Sequence, residues 1–140
     1  MIDQKPQRVL IIEDEWLIAE GLEADLAGEG FEVVGCGYNL SDGIELVHRV
    51  AFDVAILDMM LGHEKSYPIA TSLMKRNIPF LVVSGYTHED LRDEFRDVPL
   101  LNKPVTSPQL ISALRALLSG EVRPPAQSFC KRTTDGASRL

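Results

Sequence analysis

Two hydrophobic rhythms take turns along this chain. Short unbroken runs of leucine and β-branched residues, the pattern of fully buried strands, alternate with stretches in which apolar residues return every three or four positions, the pattern of amphipathic helices. RVLII predicts a strand over 8–12, and Leu17, Ile18, Leu22 and Leu26 predict a helix over 16–26 that Gly28 and Gly30 stop. A second strand follows over 31–36, then a helix capped by Ser41 that carries Ile44, Leu46, Val47 and Val50. The third strand spans 53–57. A helix over 66–76 turns Ile69, Leu73 and Met74 inward, and Pro79 opens a fourth strand over 80–83. Leu91 and Phe95 anchor a short charged helix over 87–97. Leu100 and Leu101 make a brief fifth strand, and Ser107 caps a last helix carrying Leu110, Ile111, Leu114 and Leu117. Such alternation builds a parallel α/β sheet covered by helices on both faces.

Beyond residue 119 the rhythm stops. Residues 120–140 bring Arg-Pro-Pro, then Ser, Thr, Gly and basic residues without periodicity, which predicts a flexible tail behind one domain over 1–119. With 140 residues, 45% of them apolar, the chain can bury one real core, and the tail is too short for a DNA-binding fold.

Charge narrows the partners. The net charge of −7 is uneven, because the tail sets Arg123, Lys131, Arg132 and Arg139 against only Glu121 and Asp135. An acidic body argues against non-specific nucleic-acid binding. No apolar stretch approaches a membrane span and no secretory segment opens the chain, so a cytoplasmic protein is expected. Two cysteines, Cys36 and Cys130, form no metal or redox spacing and fit a reducing compartment. Gly35-Cys36-Gly37 lacks the third glycine of a dinucleotide fingerprint and follows the second strand. His48, His63 and His88 have no ligand spacing. Trp16, at the start of the first helix, is expected to pack.

The chemistry collects at strand ends. Glu13 and Asp14 follow the first strand, Asp58 the third, Ser84 the fourth and Lys103 the fifth. In an open parallel sheet the carboxyl ends of the strands share one edge, where ligands bind. Neighbouring strands lie roughly 5 Å apart, so Asp14 and Asp58 can share a cation. Without one, close like charges repel by about 4 kcal/mol per pair at an effective dielectric near 20. Magnesium takes one or two carboxylates plus phosphate oxygens and waters, and a lysine held inward supplies a compact charge for a phosphoryl oxygen.

In those residues the chain resembles a response-regulator receiver domain of two-component signalling. Glu13-Asp14, Asp58 in VAILDMML, Ser84 in LVVSGY and Lys103-Pro104 in LLNKPV carry the likeness, over about residues 7–119. The resemblance implies a flavodoxin-like, doubly wound five-stranded parallel sheet of order 2-1-3-4-5. It implies that Asp58 accepts a phosphoryl group from a sensor histidine kinase or a histidine phosphotransfer protein, with Mg²⁺ as cofactor. Asp14, Asp58 and the Met60 backbone carbonyl would hold the ion, with Glu13 in its outer shell. Lys103 would pair with the phosphoryl oxygens, Ser84 would move to bond them, and the Lys103–Pro104 bond would be cis. The protein would then be a single-domain regulator, monomer or weak dimer, that signals by shape change to a downstream protein partner. It would catalyse only its own phosphorylation and dephosphorylation.

Three departures qualify the likeness. Family members usually carry an aromatic residue three positions before the lysine, where this chain has Leu100; Tyr86, in a Ser-Gly-Tyr loop like that of a stand-alone subclass, is the expected substitute switch. The segment between Ser84 and Lys103 is short, so the fourth helix is expected to be reduced. Met60 cannot bond an attacking water through its side chain. Two other functions compete. One is a degenerate receiver that binds proteins without being phosphorylated. The other is a Mg²⁺-dependent phosphohydrolase of the haloacid-dehalogenase type, which needs an acid/base aspartate where Met60 stands.

Overall fold

A computed structural model describes residues 5–85 and 91–120. The elements run β1 (Arg8–Ile12), α1 (Trp16–Gly28), β2 (Glu32–Gly37), α2 (Leu40–Arg49) and β3 (Val54–Asp58). There follow a small hairpin of β4 (Met60–Leu61) and β5 (Glu64–Lys65), then α3 (Tyr67–Lys75), β6 (Phe80–Ser84), β7 (Leu100–Asn102) and α4 (Ser107–Ser119). The main sheet is parallel throughout, in the order β2-β1-β3-β6-β7. With the hairpin set aside, this is the expected 2-1-3-4-5 order.

Period-two alternation divides the core between the two faces of the sheet. Val9, Ile11, Val54, Ile56, Leu81 and Val83 pack with Leu26 of α1 and Leu110, Ile111, Leu114 and Leu117 of α4. Leu10, Ile12, Ala55, Leu57, Phe80 and Val82 pack with Val47 of α2 and Ile69 and Leu73 of α3. All five residues of β3 are buried, as a central strand covered on both faces requires.

Helix ends follow side-chain hydrogen bonds. Asn39, not Ser41, caps α2, its Oδ1 accepting from the Asp42 N–H at 2.8 Å. Thr106, not Ser107, caps α4, in a reciprocal capping box with Gln109. The Ser107 hydroxyl instead donates to Asp25 of α1. Gly30, at φ 91°, takes the left-handed turn that ends α1, with Phe31 N–H returning to Leu26 O at 3.0 Å. The Gly-x-Gly of β2 is a packing device: a Cβ on Gly37 would lie 3.3 Å from the Gly43 backbone of α2.

The helix expected over 87–97 is corrected where it can be seen. Residues 91–98 hold a single 3₁₀ turn, Asp93–Phe95, with Leu91, Phe95 and Val98 buried. The i,i+4 pair Leu91–Phe95 mimics a helical face, but Leu91 enters the α3-side core from irregular backbone and Phe95 from the end of the 3₁₀ turn. Residues 86–90 lie outside the described residues, as does the tail beyond Gly120.

Candidate functional site

Because every strand of the main sheet runs the same way, the carboxyl ends of β1, β3, β6 and β7 share one edge. Glu13 continues β1, its N–H still bonded to Gly37 O at 2.9 Å, and Asp58 closes β3 opposite Val83 of β6. Ser84 ends β6 and is buried; its carbonyl accepts from the Lys103 N–H at 2.8 Å, which fixes the lysine at the end of β7. The Lys103–Pro104 peptide is cis.

The expected side chains converge. Lys103 Nζ donates to Asp58 Oδ2 at 2.8 Å and lies 3.5 Å from Glu13 Oε1. Asp58 Oδ1 accepts from the Met60 N–H at 3.2 Å, so Met60 sits beside the carboxylate through its backbone. Glu13 Oε2 accepts from the Glu15 N–H at 3.1 Å, and Asp14 Oδ2 from the Gly62 N–H at 3.0 Å. One carboxylate oxygen from each of Glu13, Asp14 and Asp58 lies within 4.8 Å of the others.

Burial sets the electrostatics. Glu13 is only 4% exposed and Asp58 5%. Burial pushes the Glu13 carboxyl up to about 7, opposed by the Glu15 N–H and Lys103 and assisted by repulsion from Asp58. Burial alone would lower the Lys103 ammonium, but its bond to Asp58 and the two carboxylate charges raise it. Three hard oxygen donors and one cation thus crowd a space where added positive charge is favoured. That donor set suits a divalent cation such as Mg²⁺.

Other expectations meet different fates. Tyr86 lies outside the described residues. Trp16 does not pack: it is 57% exposed, beside Leu17 at 66%. His63 is exposed in the hairpin turn. Sequence reasoning missed Ser66 and Tyr67. Ser66 is fully buried, and its hydroxyl donates to the Asp58 carbonyl at 2.8 Å rather than capping α3. Tyr67 is 5% exposed, stacks on Phe95 with centroids 5.0 Å apart, and accepts the Arg92 N–H at 3.0 Å. The one local signal was a Ser-Tyr-Pro start to a helix just after the acceptor loop.

Known proteins are similar to this chain in sequence and in fold. A profile of the response regulator receiver domain matches residues 9–115. The transcriptional regulatory protein PdtaR of Mycobacterium tuberculosis is 31% identical over 118 residues, which cover 81% of this chain and 58% of PdtaR. The chain therefore spans little more than half the length of that relative. SdrG from Sphingomonas melonis Fr1 is 38% identical with a TM-score of 0.70, over 83% of this chain and 99% of SdrG. The BeF₃-activated conformation of SdrG from Pseudomonas melonis Fr1 is 40% identical with a TM-score of 0.66, over 79% of this chain and 95% of that one. A CheY-like receiver domain from Methanospirillum hungatei JF-1, 20% identical at a TM-score of 0.72 over 83% of this chain and 96% of that one, has the same fold.

Proposed function

The chain belongs to the response-regulator receiver family of two-component signalling, and on that premise we propose that Asp58 accepts a phosphoryl group from a phosphohistidine and that the domain signals by the resulting change of shape. A sensor histidine kinase or a histidine phosphotransfer protein is the donor. The observation that carries this reading is the Asp58 carboxylate itself, buried at a strand end, 2.8 Å from Lys103 and flanked by two more carboxylates.

The chemistry is a balanced transfer. A carboxylate oxygen of Asp58 forms a bond to phosphorus as the phosphorus–nitrogen bond breaks, and the electron pair stays on the departing imidazole. The transition state is loose, so the protein chiefly positions groups and neutralises charge. Lys103, already between Asp58 and Glu13, pairs with the equatorial oxygens. Asp14, Asp58 and the Met60 carbonyl would hold Mg²⁺, with Glu13 in its outer shell, and the ion would supply further neutralisation of phosphoryl charge. The phosphorylated carboxyl gains acceptor oxygens that recruit the Ser84 hydroxyl. The SdrG structure adds support from a relative, because beryllofluoride on a carboxylate imitates a phosphoryl group.

The receiver domain ends near residue 119, and residues 120–140 lie outside it. Phosphohydrolase activity is disfavoured because Met60 offers no proton where that chemistry needs an acid. Intact mass after incubation with acetyl phosphate and Mg²⁺ tests the proposal. One phosphoryl adduct is expected on the wild type and none on Asp58→Ala or in the presence of EDTA. A wild type that stays unmodified would make the domain a phosphorylation-independent binding module.

A further inference from the structure

Leu100 occupies the place of the aromatic residue that resemblance led us to expect in the last strand, yet a buried aromatic does link the site to the 91–98 segment. Tyr67 begins α3 directly after Ser66, whose hydroxyl is bonded to the Asp58 carbonyl at 2.8 Å and whose N–H is bonded to Met59 O at 2.8 Å. The backbone of the acceptor and the base of Tyr67 therefore form one hydrogen-bonded unit. From the other side, the 91–98 segment meets the body at Tyr67. The Tyr67 hydroxyl accepts the Arg92 N–H at 3.0 Å, the Arg92 guanidinium lies 4.2 Å from the ring centroid, and Phe95 stacks on the ring at an interplanar angle of 15°. Leu91 and Phe95 are buried around this clasp.

The acceptor and the 91–98 segment thus meet on one side chain. The link through Ser66 is short and fixed to β3. A change of backbone position at Asp58 on phosphorylation carries Ser66 and the base of Tyr67 with it, and so alters the geometry of the Arg92 N–H···O bond. We propose that Tyr67 is the positioning residue that couples the state of Asp58 to the 91–98 segment, the role that Leu100 cannot perform. The inference rests on the phosphoacceptor reading of Asp58.

Amide chemical shifts of the full chain with Mg²⁺, recorded with and without beryllofluoride, test it. The wild type is expected to respond at 58–62, at 84–85 and at 91–98. Tyr67→Phe keeps the ring and its stack but removes the hydroxyl. It is expected to keep the first two responses, to lose at least half of the shift over 91–98, and to take up phosphoryl from acetyl phosphate within twofold of the wild-type rate. A full response over 91–98 in Tyr67→Phe overturns the proposal. So does a wild type that responds around Asp58 but not at 91–98, or a loss of the 91–98 response in Tyr86→Phe while Tyr67→Phe retains it. No response at 58–62 in the wild type would instead remove the phosphoacceptor reading, and this inference with it.

Discussion

Lys103 sits between two buried carboxylates, and its position is set by backbone rather than by side-chain luck: the Ser84 carbonyl holds its N–H, and the short β7 strand aims it at Asp58. Residues of this kind were readable in the sequence because strand ends in a parallel sheet have only one edge to meet at. Ser66 and Tyr67 were not readable, because their importance comes from partners eight and 25 positions away, which no local pattern encodes. Met60 carries a prediction at this scale. Its N–H faces Asp58 while its thioether offers no strong bond to an attacking water. Met60→Asn is expected to hasten loss of the phosphoryl group, by up to about 100-fold, the lower end of what a positioned polar group contributes. Single-turnover decay of the phosphorylated protein measures it, and equal rates would remove the role assigned to this position.

Among elements, the strands were the most legible, since runs such as RVLII and VAIL allow little else. Caps were less so. Asn39 and Ser41, or Thr106 and Ser107, are equally suitable in isolation, and tertiary partners such as Asp25 decide between them. The 91–97 segment shows why period alone misleads: two apolar residues four apart suit a helix, but a buried clasp on Tyr67 suits them too. Two helical glycines make opposite predictions. A Cβ on Gly43 of α2 would fall 2.6 Å from Ile69 Cδ1 and 3.1 Å from Ile12 Cγ2, in a filled core, whereas one on Gly21 of α1 meets nothing within 4 Å. Overpacking costs about 1–3 kcal/mol, and alanine gains about 1 kcal/mol in helix propensity. Gly43→Ala is therefore expected to lower the stability by up to about 2 kcal/mol, while Gly21→Ala raises it by about 1 kcal/mol. Urea denaturation of the two variants checks both signs.

At the scale of the whole molecule, the ends of the sheet have different tasks. One edge gathers the reactive groups. At the other, Asp53 ties the start of β3 to β1, accepting from the Arg8 N–H at 2.8 Å and pairing with its guanidinium at 3.2 Å. The bond from the Arg8 side chain, followed by that from its backbone, holds the Asp53 carboxyl below the usual carboxylate range. An unfolded aspartate takes up its proton near about pH 3.9, so this contribution is complete above that pH and is lost as pH falls through the lower folded value. Asp53→Asn is expected to be less stable at neutral pH and to show a shallower acid limb in thermal melts from pH 6 down to about 2. An unchanged limb would mean that the pair contributes nothing. The proposed boundary makes a further claim. Truncation after Gly120, where φ is 89° at the end of α4, should leave the Tm and the uptake of phosphoryl unchanged. A marked fall in either would give the tail a structural part.

The most direct measurement is the location of the transferred group. The protein is phosphorylated with Mg²⁺ and a phosphodonor, treated with borohydride to reduce the acyl phosphate, and sequenced by peptide mass spectrometry. Conversion of Asp58 alone to homoserine is expected from its place between Lys103, Glu13 and Asp14. Conversion at Asp14 or Glu13 instead, or at no carboxylate, would contradict the assignment of Asp58 as the acceptor.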